Sequence, residues 1–393
     1  MVMSMNNGFV DSINLDLADN TSQETVKNNI QCYEVMHGER QVAQINIRGE
    51  AEILDEVFFP YDLYLEADKD FDTLINNMNN FYHWCASRML SLDRKYAKEI
   101  LNSIGMAQAI TDKDRAKIAL SYHCVSLTDI YWVREKGEDV SFRRLNLYDN
   151  SLNKAVVELS LRGKPMTVTN QELAPDLSTK GYFPKAWIRR NDAFILLKDG
   201  GNDSVKRELL ASQLCQCFDF SQVTYKAGMY DGQPVTESQI ITSKEYSIIS
   251  KMSFEIYALN HDLSVLDECI KRDPVTYYGM NILDYLVGNT DRHPENWGFL
   301  VDNRTNQCIS LYPIMDFNMS FGSYDTVEGA NCQTVYPERK SQKEAAIEGV
   351  RKVGLRQIKA VDEMLFESAP EWKKMFFKRL NILKQYDTGE CIK

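Results

Sequence analysis

The chain has 393 residues, an apolar share of 44% and a formal net charge of −11. That length exceeds one small domain and suits two or three, and the apolar share is enough to bury a sizeable core. The acidic balance argues against broad binding to nucleic acid or to an anionic membrane, both of which reward basic patches. Nine cysteines form no CxxC pair. Cys215 and Cys217 stand two apart, which suits neither a zinc knuckle nor a redox motif, so mostly buried cytosolic thiols are expected. Residues 1–10 have no basic segment leading into an apolar core, and no apolar run approaches a membrane span. The expectation is a cytoplasmic protein with no membrane partner.

Residues 1 to about 65 contain Gln44-Ile45-Asn46-Ile47 and Val57-Phe58-Phe59, which suggest short strands. From 71 to about 106 the pattern is helical, with Leu74, Met78, Phe81 and Trp84 forming one apolar stripe. Thr111, with Asp114 three residues on, predicts a capped helix running to about 124. The stretch 126–133 then reads as a helix end and a strand, followed by a charged turn at 134–139. A second unit starts near Ala174-Pro175-Asp176. Two strands, 187–190 and 193–198, meet at the turn Asn191-Asp192. Gly200-Gly201 precedes a helix at about 204–217, and two further strands are expected near 223–227 and 239–242. From about 246 the chain reads as mainly helical. Asp273-Pro274 opens a helix with an apolar side at Tyr278, Ile282 and Leu286, and Gly288 is placed to end it. A hairpin is expected from 297–301 and 308–314 across residues 303–306, then helices at 342–353 and 360–385. The units are therefore set at 1–150, 151–245 and 246–393.

The chemistry concentrates in two stretches, Asn289-Thr290-Asp291-Arg292-His293-Pro294-Glu295-Asn296 and Met315-Asp316-Phe317-Asn318. An acid, an amide five residues on and a second acid beyond a hairpin suit phosphoryl transfer from a nucleotide. The first acid orients and deprotonates a hydroxyl; the amide and the second acid hold the metal on the phosphates. Two protein oxygens, with the rest from phosphate and water, is how Mg²⁺ is usually held. The plain alternative for each residue alone is a polar loop; the combined spacing favours function. With only five histidines in the chain, His293 has no partner at zinc-ligand spacing. It is expected to hydrogen-bond the loop backbone, with a direct role beside Asp291 left open. Arg292 is expected to pair with an acid or a phosphate. Lys198 ends an apolar strand and Glu208 lies in the next helix, the relation of a nucleotide lysine to its helix glutamate. A solvated lysine beside an exposed glutamate is the alternative.

These two stretches resemble the catalytic and metal-binding loops of HipA-like kinases. Leu177-Ser178-Thr179-Lys180-Gly181-Tyr182-Phe183-Pro184-Lys185-Ala186-Trp187 resembles that family's nucleotide-covering loop, and 126–132 carries a further match. The resemblance spans roughly 125–320. It implies an α+β, bilobal kinase-like fold: a small antiparallel-sheet N-lobe, a mainly helical C-lobe and an additional N-terminal region. It also implies Asp291 and His293 as catalytic residues, Asn296 and Asp316 as Mg²⁺ ligands, and ATP held by Lys198, Glu208, Thr179, Gly181 and Lys185. The acceptor would be a serine or threonine of a protein, with autophosphorylation at Ser178 or Thr179, and an antitoxin-like or regulatory partner is implied. The covering loop departs from better-known kinases in having one glycine, and Asp316 is followed by Phe317-Asn318 rather than Phe-Gly. Asp-Arg-His-x-x-Asn also resembles phosphoinositide kinases. A lipid kinase and a catalytically silent binding module are the alternatives, separated from a protein kinase by assaying phosphate transfer.

Overall fold

The computed structural model describes residues 30–89, 98, 111–149, 184–191, 193–322 and 326–388. The N-terminal region is built on the hairpin of β1 (Cys32–His37) and β2 (Arg40–Asn46), which turns at Gly38 with φ +56°. With β3 (Ala51–Ile53) and β4 (Tyr131–Glu135) these strands form an antiparallel sheet in the order β3-β2-β1-β4. Its buried face, including Val35, Ala43 and Ile45, joins one core with Phe81 and Trp84 of α1 (Phe71–Ser87). Asp70 caps α1 by accepting the N–H groups of Asp72 and Thr73. As the sequence predicts, Thr111 caps α2 (Asp112–Ser121). Val57-Phe58-Phe59 is a turn rather than the expected strand, and α1 closes at Ser87, with 90–97 and 99–110 outside the described residues. The short helix α3 (Phe142–Leu145) follows β4.

The next layer is a second antiparallel sheet. β5 (Lys185–Arg190) and β6 (Ala193–Lys198) pair in register as expected, Lys185 opposite Lys198. The helix α4 (Asn202–Cys215) follows Gly201. β7 (Lys226–Tyr230) and β8 (Gln233–Gln239) complete the order β5-β6-β8-β7. These last strands are displaced from the predicted ones. The cause is the two-residue turn Asp231-Gly232, with φ +50° and +71°, the left-handed pair that matches the twist of a hairpin.

The C-terminal lobe is not purely helical where it starts. β9 (Tyr246–Ser250) pairs with β10 (Gly298–Asp302), which pairs with β11 (Gln307–Leu311), giving a three-stranded sheet. α5 (Lys251–Asn260) and α6 (Val265–Arg272) lead to the central helix α7 (Pro274–Val287). Every residue of α7 from Thr276 to Val287 is buried. It is capped as predicted: Asp273 accepts the Thr276 N–H, proline occupies the first turn, and Gly288 closes it at φ +65°. α8 (Gln342–Val353) packs on α7 behind a capping box of Ser341 and Glu344. The helix expected over 360–385 is broken into a 3₁₀ turn (Glu363–Phe366) and α9 (Pro370–Lys384). Pro370 has no N–H to continue a helix but suits the first turn of a new one. Among the described residues no helix is long and apolar enough to cross a membrane.

Candidate active site

The loop leaving α7 is fixed from beneath by a buried ion pair. Arg292 Nε and Nη2 donate to Asp284 Oδ2 and Oδ1, each at 2.8 Å, and both side chains are almost fully enclosed. The same guanidinium donates from Nη1 to the carbonyls of Asn296, at 3.2 Å, and Met315. Asn289 Nδ2 donates to Asp284 Oδ1 at 2.9 Å and to the Asp316 carbonyl at 3.3 Å. The acid partner that the sequence left open for Arg292 is therefore Asp284. One signal marks it: Asp284 is the only charged residue in α7, and a lone acid in an apolar helix requires a partner where it is buried.

A second ion pair closes the far side. Lys198 Nζ donates to Glu208 Oε1 at 2.7 Å and to Asp316 Oδ1 at 2.8 Å. Glu208 also accepts the Thr236 hydroxyl at 2.6 Å. Lys198 is 5% exposed and Glu208 2%, so the solvated pair is excluded. Burial disfavours the ammonium, but the two carboxylates outweigh this and raise its pKa. Burial likewise disfavours the Asp316 carboxylate, and Lys198, Lys185 and Arg292 overcome it, bringing its pKa down to about 2. Asp316 has φ +62°. A non-glycine residue in the left-handed region costs energy, so its surroundings must hold it there. Its N–H donates to the Tyr225 hydroxyl at 3.1 Å, and Lys198 Nζ lies 5.5 Å from the centre of the Tyr225 ring. Tyr225 and Asp284 are site residues that the sequence reading missed.

One cleft of about 280 Å³ is lined by Lys185, Lys198, Asp291, His293, Asn296 and Asp316 among others. Asp291 is half-buried. Burial raises its carboxyl above the ordinary aspartate value; His293 opposes this and the nearby Asp316 adds to it. The expected backbone contact of His293 is present, its Nδ1 accepting the Glu295 N–H at 3.3 Å. Asn296 Nδ2 donates to the Asp291 carbonyl at 2.9 Å. Its Oδ1 accepts no hydrogen bond among the described residues. Thr179 and Gly181, like Ser178, lie outside the described residues.

Among the described residues no cluster of three or more His, Cys, Asp or Glu could hold a metal ion. The donor set fits a different mode. The Asn296 amide oxygen and the ionised Asp316 would supply two hard oxygen donors, the number Mg²⁺ needs from a protein where phosphate and water provide the rest.

No family model and no curated protein matches the chain. Among solved structures, HipA of Shewanella oneidensis MR-1, in a toxin–antitoxin complex with HipB and operator DNA, is similar at TM-score 0.51. The identity is 11%, over 91% of this chain and 100% of that one. The Helicobacter pylori proinflammatory kinase CtkA matches at TM-score 0.40 and 15% identity, over 52% of this chain and 93% of that one. The small sheet lobe, the mainly helical lobe and the extra N-terminal region together make a bilobal, HipA-like kinase fold.

Proposed function

We propose that the protein is an ATP- and Mg²⁺-dependent kinase that phosphorylates a serine or threonine of a protein. The observation that carries this reading is the double contact of Lys198 with Glu208 and Asp316, in a cleft shared with Asp291 and Asn296. A buried lysine held by a helix acid and set against a carboxylate meets the needs of phosphoryl transfer, which rests on positioning and charge stabilisation.

Asn296 and Asp316 would hold Mg²⁺, which when bound neutralises charge on the phosphates. Lys198, steadied by Glu208, contacts phosphate oxygens, and Lys185 supplies a second cation at the cleft wall. Asp291 orients the acceptor hydroxyl and accepts the proton from its oxygen. The raised pKa of Asp291 brings it nearer the range of an effective base at neutral pH. With Nδ1 of His293 accepting a hydrogen bond, a neutral ring carries its proton on Nε2, a donor for charge developing beside Asp291. Since the Shewanella HipA occurs in a complex with HipB, a regulatory protein partner is part of the same reading.

The test is incubation of pure protein with labelled ATP, Mg²⁺ and a cell lysate, followed by mass spectrometry. New phosphate on serine or threonine of a lysate protein, or of the chain itself, supports the reading. ATP binding with no transfer makes the chain a binding module, and label in a lipid reassigns the acceptor.

A further inference from the structure

The tip of a hairpin is normally in water, yet Asn306, at the tip of β10–β11, is 4% exposed. It is inserted into the N-terminal region and every polar group of it is engaged. Its Nδ2 donates to the carbonyls of Val57, at 2.9 Å, and Phe59, at 3.2 Å. Its Oδ1 accepts the Tyr131 hydroxyl at 3.1 Å, and its own carbonyl accepts the Tyr61 hydroxyl at 2.6 Å. Its N–H closes the tip on the Asp302 carbonyl at 2.7 Å. Asn306 has φ +54°, a conformation asparagine tolerates better than most residues. The apolar run Val57-Phe58-Phe59 is thus a turn that presents two carbonyls to one amide.

This hairpin is the segment that connects the two candidate metal ligands. β10 starts two residues after Asn296, and β11 ends five residues before Asp316. A strand of five residues spans about 17 Å, and β10 and β11 stay paired on both sides of a register shift at Leu300/Val301, so the hairpin is the hydrogen-bonded path from the tip to both ends. Mg²⁺ demands near-ideal octahedral geometry at short distance, which makes its affinity sensitive to small changes in ligand separation. Asn303, also in the tip, is tied separately to Ser247 and to the carbonyls of Ser243 and Lys244. One tip is therefore held by two bodies: the inter-lobe segment through Asn303 and the N-terminal region through Asn306.

We propose that Asn306 is a positioning residue through which the N-terminal region sets Asn296 and Asp316 for Mg²⁺. This rests on the kinase reading and gives the N-terminal region a task in it: bracing the metal site. Asn306→Gly keeps the left-handed backbone and removes the amide. Tyr131→Phe removes a single hydroxyl and serves where the glycine variant fails to fold. Both are made in the full chain, and ATP affinity is measured by calorimetry across a Mg²⁺ series, with hydrogen exchange followed across the hairpin. The Mg²⁺ concentration for half-maximal effect should rise about tenfold in Asn306→Gly, as for other residues that support metal ligands. ATP affinity without Mg²⁺ should stay the same, and exchange should quicken in β10 and β11 but not in α7. Tyr131→Phe should shift the same quantities in the same direction by less. A folded Asn306→Gly with lowered stability and an unchanged Mg²⁺ half-point would overturn the proposal, as would an unchanged Tyr131→Phe if only that variant folds. Parent protein lacking Mg²⁺-dependent ATP affinity would instead overturn the kinase reading and the role of Asn306 with it.

Discussion

Lys198 Nζ donates to Asp316 Oδ1 at 2.8 Å, joining the end of a sheet-lobe strand to a residue beyond the β10–β11 hairpin. The lysine is enclosed and compensates two acids, so its removal bears on stability as well as on the proposed nucleotide contact. Removing one partner of a buried pair costs about 3–5 kcal/mol because the other charge stays buried. Lys198→Ala should lose that order of stability, read as a lower urea midpoint, and should also weaken ATP binding. Adding Glu208→Gln should restore part of the stability and none of the affinity. Equal ATP affinity in parent and Lys198→Ala would remove the lysine from the nucleotide site.

Acid should weaken the N-terminal region before it protonates Asp316. His37 is buried, its Nε2 finds no hydrogen-bond partner among the described residues, and its pKa is pushed down to about 4, chiefly by burial. In the unfolded chain the ring protonates near the ordinary histidine value of about 6.5. Below that pH the unfolded state binds the extra proton and the folded state does not, so stability falls as pH drops from about 6.5 to about 4. The loss reaches about 3 kcal/mol. Asp316 acts lower: its folded pKa of about 2 lies under the ordinary aspartate value, so its contribution holds above about 3.8 and fades as pH falls towards 2. Urea titrations of parent and His37→Gln between pH 7 and 4 check the first part. The variant should lack this decline; parallel curves would acquit the histidine.

What was legible in the chain was local. Asp273, Pro274 and Gly288 state the ends of α7 because caps act within a turn of the helix they bound. Asp291, Asn296 and Asp316 were readable because one short hairpin brings them together. The Asp231-Gly232 turn was present in the sequence too, and weighing it would have moved the last two strands of the small sheet into place. β9 is another matter. Tyr246-Ser247-Ile248-Ile249-Ser250 is a strand because β10 pairs with it in register, a tertiary fact that a five-residue pattern beside a helix does not declare. Tyr225 belongs to the same class: it reaches Asp316 from 91 positions away. The turn at Val57-Phe58-Phe59 is the clearest case, an apolar run whose conformation is tied to an asparagine in the other lobe.

Asp291 and Asp316 should fail in opposite ways when each is made an asparagine. Burial raises the Asp291 carboxyl, so the folded state prefers it neutral and carries an ionised group there at a cost. That cost is present above the folded pKa and is relieved as pH falls through it. Asp291→Asn should therefore be slightly more stable than the parent at pH 7 and keep its Mg²⁺-dependent ATP affinity. Phosphate transfer, deprived of the group that accepts the hydroxyl proton, should drop about 10²–10⁴-fold. In the parent, transfer should decline on acidification at a higher pH than an ordinary aspartate would set. Asp316 is the reverse case, since Lys198 and Arg292 hold its carboxylate ionised. Asp316→Asn removes a partner of the buried Lys198 and a charged metal ligand, so stability and Mg²⁺-dependent ATP affinity should fall together. Thermal unfolding, ATP binding with and without Mg²⁺, and transfer rates on all three proteins give the comparison. Unchanged transfer by Asp291→Asn would sink Asp291 as the base, and unchanged Mg²⁺ dependence in Asp316→Asn would take Asp316 out of the metal site.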